Sequence, residues 1–127
     1  KAKQRHQHWT RIMVSACEQS GRNTLPKLDD AQSYPTWLES FEGKGIILDP
    51  RASGTLSTVS PPRDREAITF LTGPEGGFSE REREWAIERG FTAVRLGPRI
   101  LRTETATLTI IAAAQVLWGD FRTALNP

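Results

Sequence analysis

Apolar residues in the first part of the chain recur at helical spacing. Trp9, Ile12, Met13, Ala16 and Cys17 fall three and four residues apart, which predicts an amphipathic helix over residues 9–19. Gly21 and Pro26 are its stop signals. Ser33 as N-cap, Pro35 in the first turn and inward-facing Trp37, Leu38 and Phe41 predict a short helix over residues 33–41. Ile46-Ile47-Leu48, set between Gly45 and Asp49-Pro50, predicts a buried strand. Residues 51–63 are rich in Ser, Thr, Gly and Pro and predict a loop, and residues 68–72 form a second strand-like run.

Gly73-Pro74-Glu75-Gly76-Gly77 cannot continue that strand. Ser79 and Glu82 then form a capping box that opens a helix, which runs to about Arg89 and stops at Gly90. Residues 93–96 predict a third strand, broken by Gly97-Pro98, with a loop through Thr103. Residues 105–118 predict a helix that is apolar on nearly every side, closed by Gly119-Asp120. Such a helix is either central to the fold or packed on a second copy of the chain. The order strand, helix, strand, helix predicts an α/β fold, a parallel sheet flanked by helices.

Charge changes the picture at one end only. Residues 1–27 carry six Lys/Arg against Glu18 alone, a local +5, and the remaining hundred carry eleven basic and fourteen acidic groups, a local −3, which together make the net +2. The first eight residues therefore read as a basic arm or linker able to meet phosphates, or simply as a solvated end. His6 and His8 lie in this stretch without a third ligand, so no metal site is expected. The single cysteine, Cys17, excludes an internal disulfide and suits a reducing compartment, here the cytoplasm. Cys17 reads most simply as a small core residue. The longest apolar run, residues 110–114, is too short to span a bilayer. The chain opens on Lys1 and a polar run, which reads as a piece of a longer protein.

Candidate chemistry lies in two loops, residues 73–77 and 97–104, each between a strand and a helix. In open α/β sheets ligands sit outside the carboxyl ends of the strands, so both loops belong at one edge. Glycines let the backbone approach a ligand, and helix starts offer free N–H groups. Neither a Gly-Lys-Ser/Thr phosphate loop nor a Gly-x-Gly-x-x-Gly fingerprint is present. Taken alone, the first loop is equally a tight turn. The second loop sets Arg99, Arg102 and Glu104 around Ile100 and Leu101. Arg can hold phosphate or stack on a base, and Glu104 stands at a helix start, where its charge is favoured. The plain alternative is an Arg–Glu pair that fixes the loop.

These segments together resemble a known family. Leu71-Thr72-Gly73-Pro74-Glu75-Gly76-Gly77-Phe78-Ser79, then Gly90-Phe91, then the run from Leu96 through Arg99, Arg102 and Glu104 to Ala106, and a closing Gly119-Asp120, are similar to the RsmE family. Glu18-Gln19-Ser20-Gly21-Arg22 with Pro26, and Asp49-Pro50-Arg51-Ala52, resemble further elements of it. The resemblance implies an S-adenosylmethionine-dependent methyltransferase acting on N3 of one uridine of 16S rRNA in the 30S subunit. It implies a SPOUT-type domain with a C-terminal trefoil knot and a homodimer with the knot at the interface. It also implies that this chain is the later part of the catalytic domain. A PUA-like barrel and the domain's first strand and helix would precede it. On this resemblance Thr72, Gly73, Gly76, Gly77, Leu96, Gly97 and Leu101 are expected to cradle the cofactor. Arg102, Glu104 and Glu75 are the candidate catalytic groups, and Arg22 and Arg99 the candidate RNA contacts. No metal is required, since the sulfonium carries its own activation. Two other classes stay open at this point: a module that binds cofactor and dimerises without activity alone, and an unrelated nucleotide-binding α/β enzyme.

Overall fold

The computed structural model describes residues 1–123 of the chain. It divides into two units, Lys1–Trp37 and the segment from Leu38 onward.

The first unit is dominated by α1, Ala2–Ser20. It begins seven residues before the predicted start, so the stretch read as an arm or linker is helical from Ala2. Ala, Lys, Gln and Arg there are good helix formers that an apolar-spacing test passes over. Gly21 ends the helix in the left-handed conformation (φ 73°). Its N–H bonds to Glu18 O, and the Arg22 N–H bonds to Cys17 O at 2.9 Å, the paired closure that only a residue tolerant of positive φ permits. The sheltered face runs through His6, Thr10, Met13, Val14 and Cys17, while Trp9, Ile12 and Ala16 are exposed. The predicted face is thus rotated by about one residue, because His6 and Thr10 turn inward. His6 Nε2 donates to Leu28 O at 3.0 Å, and the Thr10 hydroxyl donates to His6 O at 2.7 Å.

α2, Tyr34–Glu39, starts as predicted. The Thr36 N–H reaches the Ser33 hydroxyl at 3.4 Å. The helix stops two residues short of Phe41, and Leu38 and Phe41 are buried.

The second unit is a three-stranded parallel sheet of order β2-β1-β3. The strands are β1 (Lys44–Leu48), β2 (Ile68–Leu71) and β3 (Phe91–Val94). β1 is central, with Ile46 opposite Phe70 on one side and Thr92 on the other. Ile46 and Ile47 are fully buried, as a strand covered on both faces requires. β3 begins two residues earlier than predicted, directly after Gly90, and Arg95 extends it by a single bridge to Thr55. The crossover from β1 to β2 contains only a short 3-10 turn at Leu56–Thr58, whose Leu56 is buried. The crossover from β2 to β3 is α3, Glu80–Glu88. Its capping box forms as predicted: the Glu82 N–H donates to Ser79 Oγ at 3.1 Å and the Ser79 N–H to Glu82 Oε1 at 2.8 Å.

α4, Thr103–Trp118, takes in Thr103 and Glu104 from the predicted loop. Ile110 is fully buried, in one cluster with Ile46, Leu56 and Val94, against which Ala113, Ala114 and Trp118 also pack. The opposite side stays apolar and exposed, with Leu108 at 72% and Val116 at 57%. No helix among the described residues is long and apolar enough to cross a membrane.

Gly45 faces Phe91 across the β1–β3 pair. A Cβ there would lie 2.6 Å from two atoms of the Phe91 ring, which itself packs on Phe41 at a centroid distance of 4.4 Å. Gly45→Ala is therefore expected to destabilise the fold by about 1–3 kcal/mol, the usual cost of overpacking. Adding Phe91→Leu should recover part of it. Denaturant midpoints of the two variants check this.

Candidate active site

The carboxyl ends of all three strands open on one cavity of about 490 Å³. That lies within the range of about 300–1,000 Å³ common to small-molecule sites. Its walls come from three places: Leu48 to Arg51 at the end of β1, Thr72 to Phe78 after β2, and, from the end of β3 onward, Val94 to Leu96 and Arg99 to Leu101. Thr103 and Ala106 of α4 close the remaining side. Leu48, Val94, Leu96, Ile100 and Leu101 make much of the surface apolar, while Asp49, Arg51, Thr72, Glu75, Arg95 and Arg99 supply polar groups.

The two glycine loops meet as the sequence predicts, and α4 stitches them together. The Thr103 hydroxyl donates to Gly73 O at 2.9 Å. Thr107 Oγ1 lies 3.1 Å from Thr72 Oγ1 and 2.9 Å from Thr103 O. Pro74 to Gly77 is a tight turn, closed by the Gly77 N–H on Pro74 O at 2.7 Å. Gly77 needs its freedom for φ 76°, and Gly97 for φ 73°. A Cβ on Gly73 would crowd the Phe78 ring at 3.1 Å. Gly76 differs from all three. Its φ is ordinary and a Cβ there would meet nothing within 4 Å, so the space beside it is open.

Of the residues expected from the sequence, Thr72, Gly73, Gly76, Gly77, Leu96, Leu101, Glu75 and Arg99 line the cavity. Gly97, Arg102 and Glu104 do not. Arg102 caps α4 and Glu104 lies in its first turn, on either side of Thr103, and both are exposed. Arg22 belongs to the first unit, where its Nε donates to Thr24 O at 3.0 Å.

A charged network that joins the Asp49-Pro50-Arg51-Ala52 segment to α3 stands at the same edge. Asp49, at the end of β1, is 4% exposed. Its carboxylate accepts the Arg51 N–H at 3.0 Å, Arg51 Nε at 3.3 Å and Arg83 Nε. Arg51 Nη1 also pairs with Glu80 Oε2 at 2.9 Å. Burial pushes the Asp49 carboxyl up, but the hydrogen bonds from the Arg51 backbone, Arg83 and the Arg51 side chain outweigh it and hold the group below its ordinary value. The hydrogen bond and charge of Asp49 raise the Arg51 guanidinium in turn. The sequence singled out Asp49 and Arg51 only within the segment Asp49-Pro50-Arg51-Ala52, and gave no sign that Glu80 and Arg83 would join them.

The family described as RNA methyltransferase domain matches residues 1–115. The chain belongs to this RNA methyltransferase family. Within it, the ribosomal RNA small subunit methyltransferase E of Buchnera aphidicola is 39% identical over 115 residues, covering 89% of this chain and 46% of the relative. The enzyme of the same name from Bacillus subtilis is 36% identical, covering 94% and 52%. Among solved structures, the Neisseria gonorrhoeae methyltransferase E bound to S-adenosylmethionine superposes with a TM-score of 0.89 at 46% identity, over 94% of this chain and 51% of that one. A Legionella pneumophila methyltransferase in complex with the same cofactor gives 0.87 at 34% identity, over 94% and 49%. The chain thus spans about half the length of the RNA methyltransferases it matches.

The depressed Asp49 value sets a pH dependence. A group held below its unfolded value stabilises the fold fully above that value, and the contribution is lost as pH falls through the folded value. Asp49→Asn should cost about 2 kcal/mol or more at pH 7, since it strips a buried charge from two arginines. The gap between variant and wild type should narrow only as pH falls below the ordinary Asp value of 3.8. Urea denaturation from pH 7 to pH 2.5 checks both points.

Proposed function

We propose that this chain is the cofactor-binding part of an S-adenosylmethionine-dependent enzyme that methylates N3 of a uridine in 16S rRNA, acting on the 30S subunit in the cytoplasm. One observation carries the reading. The cavity at the strand ends is built from the two glycine loops, in a chain that superposes at a TM-score of 0.89 on a relative bound to that cofactor.

The residues present fit the cofactor. The open space beside Gly76 admits a ligand against bare backbone, and the apolar wall suits an adenine ring. Thr72, Gly73, Gly76, Gly77, Leu96 and Leu101 would hold it, and Gly97, which does not line the cavity, would shape the turn between the last two. When bound, the sulfonium supplies an activated methyl group. The chain's own task is to take the N3 proton and to hold the charge that remains. Glu75 lines the cavity, so its carboxylate is a candidate for the proton. Glu104 and Arg102 flank the cavity residue Thr103, as a second carboxylate and a cation near the acceptor base. Arg99 and Arg22 are exposed and are proposed to contact the RNA. The exposed apolar side of α4 supports a homodimer, with α4 and the loops around it as the knotted interface. The same cavity favours an enzyme over a module that only binds and dimerises, because charged groups stand in it beside the apolar cradle.

Calorimetric titration with S-adenosylhomocysteine, followed by transfer of labelled methyl to 30S particles, tests the reading. Tight binding and incorporation at a single uridine are expected, and the absence of binding would overturn it. Gly76→Val should keep the melting temperature and lose cofactor affinity by at least tenfold, because its side chain enters open space rather than the core. The same change at Gly97 would strain the backbone at φ 73° and would not separate binding from folding.

Kinetics test the catalytic assignments. Glu75→Gln, Arg102→Ala and Glu104→Gln are each expected to bind S-adenosylhomocysteine normally. Each should slow single-turnover transfer by ~10²-fold, the scale for losing a positioned acid–base or charge-stabilising group. A variant that loses melting temperature but keeps its rate per folded molecule would have only a structural role.

A further inference from the structure

One guanidinium at the cavity wall is held by two carboxylates. Arg51 follows the central strand and lines the cavity. Its Nε is fixed by Asp49 at 3.3 Å and its Nη1 by Glu80 at 2.9 Å. Arg83 takes the other oxygen of Asp49, so that carboxylate cannot swing away. The side chains of the two arginines differ in setting. Arg83 is 29% exposed and does not line the cavity, whereas Arg51 is 54% exposed and does. A guanidinium has five N–H donors. Those on Nη2 of Arg51 meet no partner among the described residues. The four side chains sum to zero charge, so the network needs no counter-ion of its own. It fixes the plane of one donor pair at the wall.

We propose that Arg51 is a catalytic residue. Its Nη2 N–H groups donate to a carbonyl oxygen of the target pyrimidine and hold the negative charge that gathers there as N3 is deprotonated. Asp49 and Glu80 are its positioning residues. This rests on the methyl-transfer reading above. The charge balance points to the acceptor rather than the cofactor. S-adenosylmethionine gains no negative charge in the transfer, so a donor pair aimed at it would stabilise nothing that develops in the step. The pyrimidine is the one reactant that becomes negative. In the step, the N3–H bond breaks and its proton passes to a carboxylate base. The electron pair left behind forms the N3–C bond to the methyl group. The C–S pair goes to sulfur, which departs as a neutral thioether. A rigid donor aimed at the developing charge lowers the barrier without reorganising.

The test uses the full-length enzyme with 30S substrate at saturating cofactor. Single-turnover rates from pH 7 to pH 9.5 are compared for wild type, Arg51→Ala, Arg51→Lys and Glu80→Gln, with melting temperatures and S-adenosylhomocysteine affinities alongside. Arg51→Ala is expected to lose ~10²-fold in rate at pH 7 with unchanged cofactor affinity. The loss should shrink as pH rises, because the pyrimidine then ionises unaided. Lys should restore part of the rate, and Glu80→Gln should show a smaller loss with the same pH trend. If Arg51→Ala does not fold, the Lys and Gln variants carry the comparison. A loss that is equal at every pH, or that follows cofactor affinity, overturns the inference while leaving the methyl-transfer reading intact. A wild type that transfers no methyl overturns both.

Discussion

A carboxylate withdrawn from water keeps its charge only where donors replace the water it has lost. Asp49 meets that condition at the end of the central strand, where two arginines and a backbone N–H converge on it. Much of the site follows from this. Arg83 and Glu80 belong to α3, so the network ties the end of β1 to the start of the helix that follows the first glycine loop. The Asp49 N–H donates to Val94 O at 2.9 Å, which holds β1 to β3 at the same level. One buried group thus connects the ends of β1 and β3, which line the cavity, to α3, and its loss would loosen them together.

The elements were legible where composition switches abruptly. The capping box at Ser79 and Glu82, the stop at Gly21 and the parallel α/β order all appear in the structure, because each depends on local chemistry that a few residues carry. The errors have equally local causes. Ala2 to His8 is helical without an apolar stripe, so spacing could not reveal it. On α1 the stripes through Trp9 and through Thr10 are one residue apart, and hydrogen bonds of His6 and Thr10 decide which is sheltered. Phe91 enters β3 because its ring covers Gly45, a partner 46 positions away that no window along the chain contains.

The two loops of the site were legible for a similar reason. Glycine at a strand end is costly unless the backbone needs positive φ or close approach, and Gly77 and Gly97 meet the first need. The ion network was legible only in part: the segment from Asp49 to Ala52 stood out, but Arg83 lies 34 positions from Asp49 and looks like an ordinary surface charge until the fold brings the two together. Distances within a sheet edge are products of the whole topology, and a motif has no access to them.

α4 has one end in the cavity and one side bare. Its first two turns are fastened to Gly73 and Thr72 by threonine hydroxyls, and Ile110 anchors its middle in the core. A helix is stiff along its axis, so whatever settles on Leu108 and Val116 pushes on the same rod that sets the spacing of the two loops. Assembly through that face and ligand capture would then share one mechanical part. A neighbour seated on that face would narrow the range of loop separations that the cavity samples, and a ligand that fixed those separations would in turn present the neighbour with a surface already in shape.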